Sequence, residues 1–357
     1  MFEVDYLAVG EKSSSGDAIA LRFTRPDNGH LAVVVIDGGF IQNGQEFVDL
    51  IRPYYGDTVD LVVSTHMDSD HIGGLAAVLE QLNVLNLLIH RPANYGYTDA
   101  DGVSASRVEA LVKVAKARGT QVLDDHYAGT EYFGGALMIA GPTEEFYLEQ
   151  LATLRAQENS ALAKLAHAAP TITAAAVRGI KSLFGDPGET MTGDNGGTNA
   201  RNNSSIILDL FVEADYKRML FTGDAGAPAL EAAADVLYAS SRDQRKLDMF
   251  GVPHNGSRHN LTPELLDRIL GPKHQPDQGV AIVSVAKEAD QYPRPEVANA
   301  ITRRGYPVFC TRGTSLWWHS DDAPYRAAYG GSAQPLGWLD ELDHDAGGSS
   351  ATGYGAS

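Results

Sequence analysis

The 357-residue chain has a single cysteine, Cys310. That excludes an internal disulfide framework, a cysteine-cluster zinc site and an iron–sulfur cluster held by this chain alone. Cys310 closes the strand-like run Tyr306-Pro307-Val308-Phe309-Cys310 and reads as a buried bystander rather than a nucleophile. Positive charge is also scarce: 28 Lys+Arg stand against 46 Asp+Glu, a formal charge of −18. Such a balance opposes electrostatic wrapping of long nucleic acid, though it leaves room for a local basic groove. No stretch approaches the ~18 uninterrupted apolar residues of a membrane span. The opening Met1-Phe2-Glu3-Val4-Asp5 lacks the basic and apolar regions of a secretory signal, so a cytoplasmic protein is expected. Gly-x-Ser-x-Gly and the Walker pattern are both absent, which argues against a serine-elbow hydrolase and a P-loop nucleotidase.

What is present is an ordinary globular composition, 43% apolar and 21% charged. Short apolar runs predict strands over 2–9, 17–23, 31–37, 59–64, 84–90, 121–123 and 136–139, with helices over 75–82 and 106–118. Further strands are expected over 205–211, 218–222, 249–252, 280–285, 308–311 and 315–319, and helices over 228–238, 263–270 and 295–304. This mixed order reads as helices covering packed sheets. An insertion over 144–200 starts helical, with Tyr147, Leu151 and Leu154 on one stripe and Ile172, Ala176, Ile180 and Leu183 on another. Its second part, 185–200, is rich in Gly, Asp and Thr; it should bury almost nothing and form a mobile loop. The expected organisation is one body over 1–320, carrying this insertion, and an acidic Gly/Ser-rich tail over 321–357 that docks in short pieces around Leu336 and Trp338. Insertion and tail are candidate surfaces for a protein partner.

Chemistry concentrates in His66-Met67-Asp68-Ser69-Asp70-His71, in the turn between an apolar strand and a helix. Acids and imidazoles so close repel or desolvate one another unless a cation sits among them. Asp70 alone would read as a helix cap, but four such residues together point to a metal. Two more strand ends carry matching groups, Thr222-Gly223-Asp224 and Pro253-His254-Asn255-Gly256-Ser257. Strand ends at one edge of a sheet are where layered α/β proteins build sites. The histidines at 30, 90, 126, 167, 274, 319 and 344 have no such neighbours and read as surface or core.

These residues resemble the metallo-β-lactamase fold, whose pattern is H-x-[HD]-x-D-H, an isolated Asp in a Gly-Asp turn, and a late His. More narrowly, the chain is similar to the soluble hydrolase domain of the ComEC competence protein family. Val9-Gly10, Gly16-Asp17-Ala18 and Ile36-Asp37-Gly38-Gly39 match its opening, Asn202-Asn203-Ser204-Ser205 its N-x-x-S, and Leu220 to Asp224 its L-x-T-G-D. His254-Asn255-Gly256-Ser257 matches its H-H-G-S, with Asn255 in place of a histidine and Gly251 where a lysine often precedes the motif. The resemblance implies an α/β fold, a metallo-β-lactamase-like αββα sandwich with a helical insertion, holding two divalent metal ions, zinc or manganese. His66 and Asp68 would hold one ion, Asp70, His71 and His254 the other, and Asp224 would bridge. In place of a third histidine at the first site, the chain offers Asn202, Asn203 and Ser205. Asp17 and Asp37 would orient ligands or loop from behind. The catalytic candidates are Asp70 and Asp224, either of which would orient a metal-bridging hydroxide, and His259, which shares with water the role of protonating the leaving oxygen. Ser257, Arg258 and Arg294 are candidate substrate contacts.

The implied activity is phosphodiester hydrolysis, by a phosphodiesterase or nuclease acting on short, single-stranded or small nucleotide substrates. Lactone, thioester or amide hydrolysis on the same fold is the alternative, because fold does not dictate function. A third class is a metal-binding partner protein of a multi-protein system.

Overall fold

A computed structural model of the chain describes residues 1–98, 104–166, 189, 191, 193, 198–327 and 333–341. Among these, two seven-stranded sheets pack face to face. The first contains β1 (Phe2–Tyr6), β2 (Ile19–Thr24), β3 (Leu31–Ile36), β4 (Thr58–Ser64), β5 (Asn83–Ile89), β6 (Gln121–Leu123) and the last strand, β14 (Leu316–His319). Its order is β14-β1-β2-β3-β4-β5-β6. The second contains β7 (Glu131–Tyr132), β8 (Leu137–Gly141), β9 (Ile207–Val212), β10 (Lys217–Phe221), β11 (Met249–Gly251), β12 (Val280–Val283) and β13 (Val308–Cys310), in the order β13-β12-β11-β10-β9-β8-β7. Each sheet joins an antiparallel half to a parallel one: β3 to β6 run parallel in the first and β10 to β13 in the second.

Helices cover both outer faces. Against the first sheet lie α1 (Gly44–Tyr55), α2 (Ser69–Ile72), α3 (Leu75–Gln81), α4 (Ser104–Ala117) and α5 (Glu144–Ala166). Between the two sets runs a short α6 (Ala200–Asn203), and α7 (Ala227–Ala239), α8 (Pro263–Leu270) and α9 (Pro295–Arg303) cover the second sheet. The period of two along β3 explains its unbroken apolar run. Ala32, Val34 and Ile36 enter the layer between the sheets, while Val33 and Val35 face the helices. α8 follows its sequence signals closely: Thr262 caps it by accepting from Leu265 N at 3.1 Å, Pro263 opens it and Gly271 ends it.

α1 is not among the helices that the sequence predicts. Pro53 lies inside the helix, at a cost of ~3 kcal/mol. Phe47, Val48, Ile51 and Tyr55 are all buried on its inner face, and at ~1.5–3 kcal/mol for a large apolar side chain their burial outweighs that cost.

In the insertion, Tyr147, Leu151 and Leu154 form the buried stripe of α5, as their spacing predicts. Ile172, Ala176, Ile180 and Leu183 lie outside the described residues. The expectation that 185–200 buries almost nothing does not hold at the described positions. Met191 and Ala200 join core clusters, and Glu189 is clasped by Arg304 and Lys273, each at 3.0 Å. Further on, Arg326 is buried against Asp5 (2.7 Å) and Glu3 (2.9 Å). Leu336 N donates to Val308 O at 2.7 Å, and the Arg303 guanidinium lies 4.8 Å from the Trp338 ring centre. Among the described residues no helix is long and apolar enough to cross a membrane.

Candidate metal centre

The parallel strands of both sheets end at one edge, and the chemistry collects there. β3 delivers Asp37, β4 delivers Thr65 and His66, β10 leads into Asp224, and β11 into His254. The loops before β2, after β3 and after β4 approach so closely that side chains would not fit: a Cβ on Gly74 would lie 2.0 Å from Gly38 O, and one on Gly16 2.1 Å from Asp70 O. The glycines beside the polar residues are thus the condition for packing these loops.

Asp224 sits at the centre, within reach of three imidazoles. Its Oδ1 is 3.4 Å from His71 Nε2, and its Oδ2 is 3.9 Å from His66 Nε2 and 3.8 Å from His254 Nε2. Asp68 Oδ2 lies 3.8 Å from His66 Nε2, and Asp70 Oδ2 3.9 Å from His71 Nε2. All six residues proposed from the sequence as metal ligands are therefore gathered in one place. His66, His71 and Asp224 are buried, while Asp68, Asp70 and His254 line the more open side.

Buried groups behind the cluster determine which ring nitrogens face it. Asp37, with no exposed surface, accepts from Thr65 N (2.8 Å), from Thr65 Oγ1 (2.6 Å) and from His71 Nδ1 (2.8 Å). His71 therefore carries hydrogen on Nδ1 and presents Nε2 to Asp224. Because the Thr65 hydroxyl hydrogen is committed to Asp37, its oxygen accepts from His66 Nδ1 at 3.0 Å, which turns His66 Nε2 inward as well. Asp37 adopts φ +56°, strained backbone for a non-glycine residue, and so do His254 (+48°) and Asn255 (+55°).

Two observations test whether these residues fit a cation. His66 Nε2, Asp224 Oδ1 and Asn202 Oδ1 are buried without a hydrogen-bond partner, and each such orphan costs about 1–3 kcal/mol unless something binds it. The charges also need compensation. Burial opposes a charge on His71, but Asp224 and Asp37 outweigh it and hold the imidazolium well above the usual histidine range. Burial would raise Asp224, yet His71, His254 and His66 hold it well below the usual carboxylate range. Burial, with His71 adding, lowers His66. Asp17 is pushed up to about 6, first by burial, with Asp224 and Asp37 adding and His71 and Ser284 opposing. A proton on His71 thus occupies the role a divalent cation would take, and the donor set of imidazole and carboxylate suits such an ion.

Residues 29–150 match the family model of the Metallo-beta-lactamase superfamily. Over that stretch the chain is similar to the metallo-beta-lactamase superfamily. The two-sheet αββα architecture is the fold of that superfamily, and His66 to His71 and Asp37 fall inside the matched stretch. Solved structures similar to the chain include a variant of the CmlA beta-hydroxylase (11% identity, 89% of this chain and 54% of that one, TM-score 0.45). A diphosphatase from the PhnP family shares 13% identity over 90% of this chain and 98% of that one (TM-score 0.42). A metallo-beta-lactamase superfamily protein of Sulfolobus tokodaii shares 15% over 74% and 83% (TM-score 0.33). No curated protein matches the chain.

Around this cluster the remaining candidates divide. Asn202 reaches the cluster, its Nδ2 lying 3.4 Å from Asp224 Oδ2 and 3.2 Å from His254 Nδ1. Ser205 Oγ accepts from Asp224 N (3.3 Å) and lies 3.4 Å from His66 Nδ1. Asp17 Oδ2 is 4.0 Å from His71 Nδ1. Asn203 instead holds scaffold, accepting from Gly226 N at 3.0 Å. Ser257 Oγ accepts from His259 N (3.3 Å), and the His259 carbonyl accepts from Thr198 Oγ1 (3.2 Å). Arg258 lies 3.8 Å from Glu296, and Arg294 stands before α9 with its guanidinium 5.5 Å from the Tyr292 ring centre. Sequence reasoning missed Arg201, whose Nη1 is 3.7 Å from Asp68 Oδ1. It also gave no role to Thr65, a plain residue after a strand. His90, read as surface or core, is buried, with Nε2 on His126 O at 3.0 Å and its ring stacked on Tyr127.

Proposed function

We propose that the protein is a metal-dependent phosphodiesterase or nuclease, in keeping with its sequence similarity to the ComEC hydrolase domain. The observation that carries the metal part is the convergence of His66 Nε2, His71 Nε2 and His254 Nε2 on Asp224, with buried donor atoms left unpartnered. His66 and Asp68 would hold one ion and Asp70, His71 and His254 a second, with Asp224 available to both; zinc or manganese would fit this mixed nitrogen and oxygen set. When bound, such ions activate water near neutral pH and offset charge on the phosphoryl oxygens. The chain does the rest. Asp37 and Thr65 keep the ring hydrogens of His71 and His66 on the far side, and Asp70 and Asp224 orient the attacking oxygen. Arg201, beside Asp68, meets a phosphate oxygen at the rim, and His259 or solvent protonates the leaving oxygen.

The net charge of −18 favours small or single-stranded substrates, since tight binding of a duplex needs several cations along one track. Purified protein loaded in turn with zinc and manganese should hydrolyse bis-p-nitrophenyl phosphate and cleave single-stranded oligonucleotides, and Asp224→Ala should abolish both activities. Turnover of lactones with silence on every diester would overturn the substrate class. Metal uptake without any turnover would favour a partner protein, and failure to bind metal would end the reading.

A further inference from the structure

Asn260 stands outside the ligand set, yet it has no exposed surface and its side chain closes the back of the site. Its Nδ2 donates to two backbone carbonyls, Asp224 O at 2.9 Å and Ala225 O at 3.1 Å. Its Oδ1 lies 3.1 Å from His254 Nδ1. Carbonyl oxygens only accept, so the amide cannot be turned round: reversal would set Oδ1 against both of them. Oδ1 therefore faces His254, and that contact becomes a hydrogen bond only if Nδ1 carries the hydrogen. Asn202 Nδ2 also approaches Nδ1, at 3.2 Å, and would ask the opposite of it. Its hydrogens have another acceptor in Asp224 Oδ2 at 3.4 Å, and no partner of its own Oδ1 anchors its orientation. Of the two amides competing for one ring nitrogen, Asn260 is the one whose orientation is locked.

We infer that Asn260 is a positioning residue that holds His254 in the Nδ1–H tautomer, so that Nε2, 3.8 Å from Asp224 Oδ2, is free to bind a divalent cation. The inference rests on the metal reading of the site. His254 needs such a device more than its two counterparts do. Its ring is one third exposed and its backbone sits at φ +48°, whereas His71 is clamped by buried Asp37 and His66 by buried Thr65. Through one amide, Asn260 couples two strand-end loops: its nitrogen ties down the loop of Asp224 while its oxygen aims the histidine that meets Asp224 across the cluster. An outer group of this kind is worth about 10–100-fold in metal affinity.

The tautomer is measurable without any metal. Long-range proton–nitrogen NMR of the full chain, labelled with 15N-histidine and freed of metal at alkaline pH, should place the His254 hydrogen on Nδ1; finding it on Nε2 overturns the inference and needs no variant. Zinc affinity by chelator competition then separates the two levels of the argument. A wild-type protein that binds no zinc refutes the metal reading and leaves the tautomer result standing. If zinc binds, Asn260→Ala should lower its affinity ~10–100-fold and shift His254 toward the Nε2–H form. An Asn260→Ala variant that loses zinc affinity while the His254 hydrogen stays on Nδ1 would show that Asn260 acts only by tying the Asp224 loop, and the inference would fall.

Discussion

Replacing Asp37 by asparagine changes almost no volume and ought to disable the metal centre. The carboxylate accepts three hydrogen bonds with no access to water: from Thr65 N at 2.8 Å, Thr65 Oγ1 at 2.6 Å and His71 Nδ1 at 2.8 Å. Asparagine has one oxygen for these donors. The backbone N–H of Thr65 cannot change role, so the oxygen stays with it and the new NH2 group faces His71 Nδ1 and the Thr65 hydroxyl. The hydroxyl can turn to accept. His71 Nδ1 must then accept too, which moves its hydrogen to Nε2, the atom 3.4 Å from Asp224 Oδ1. To bind a cation, the ring has to return to the Nδ1–H form and leave two buried donors face to face, at a cost of about 1–3 kcal/mol. At 1.36 kcal/mol per tenfold that is roughly 5-fold to 150-fold in affinity, overlapping the ~10–100-fold range typical of groups that orient metal ligands. Zinc competition against a fluorescent chelator, with circular dichroism to establish that the variant is folded, measures this directly. A folded Asp37→Asn protein that binds zinc as tightly as wild type would refute the tautomer argument.

Three further outcomes follow from the same geometry. Zinc uptake should release a proton from His71, which Asp224 and Asp37 keep charged well above its usual range after burial is overcome; affinity should therefore weaken as pH falls, and calorimetry in buffers of different ionisation enthalpy should detect the proton. Asp17 is raised from 3.8 to about 6, so the folded metal-free protein binds more protons than the unfolded chain between those values, and this residue's contribution to stability declines as pH rises through that window. Asp17→Asn should accordingly flatten the fall in melting temperature of the metal-free protein between about pH 4 and about pH 6, and an unchanged slope would count against the assignment. Arg326→Met should destabilise the protein by ~3–5 kcal/mol in urea denaturation, because Glu3 and Asp5, both fully buried, lose the guanidinium 2.9 and 2.7 Å away; a loss below about 1 kcal/mol would show that water replaces it.

The parts of this protein that were legible in its sequence are those whose causes are local. A period of two over Leu31 to Ile36 and a capped, proline-opened helix at Pro263 to Leu270 each carry their signal within a few residues. The turn from His66 to His71 does too, because repulsion among crowded acids and imidazoles is a property of adjacent positions. Asp224 and His254 could be read because each follows a strand, and strands in such folds end at one edge. α1 was hidden by Pro53, whose local penalty is visible in sequence while the burial that outweighs it is not. Glu189, Arg326 and Asn260 were hidden for a related reason. Their partners lie 115, 321 and 36 residues away, and nothing in the flanking residues distinguishes a buried, partnered polar side chain from a solvated one. Which nitrogen each imidazole turns toward Asp224 was decided at the same level. Asp37, Thr65 and Asn260 select it through hydrogen bonds that exist only once β3, β4 and the loops after β10 and β11 have been brought side by side. Residue types at strand ends therefore announce that a cation can be held, and the packing of two sheets determines how the ligands are aimed at it.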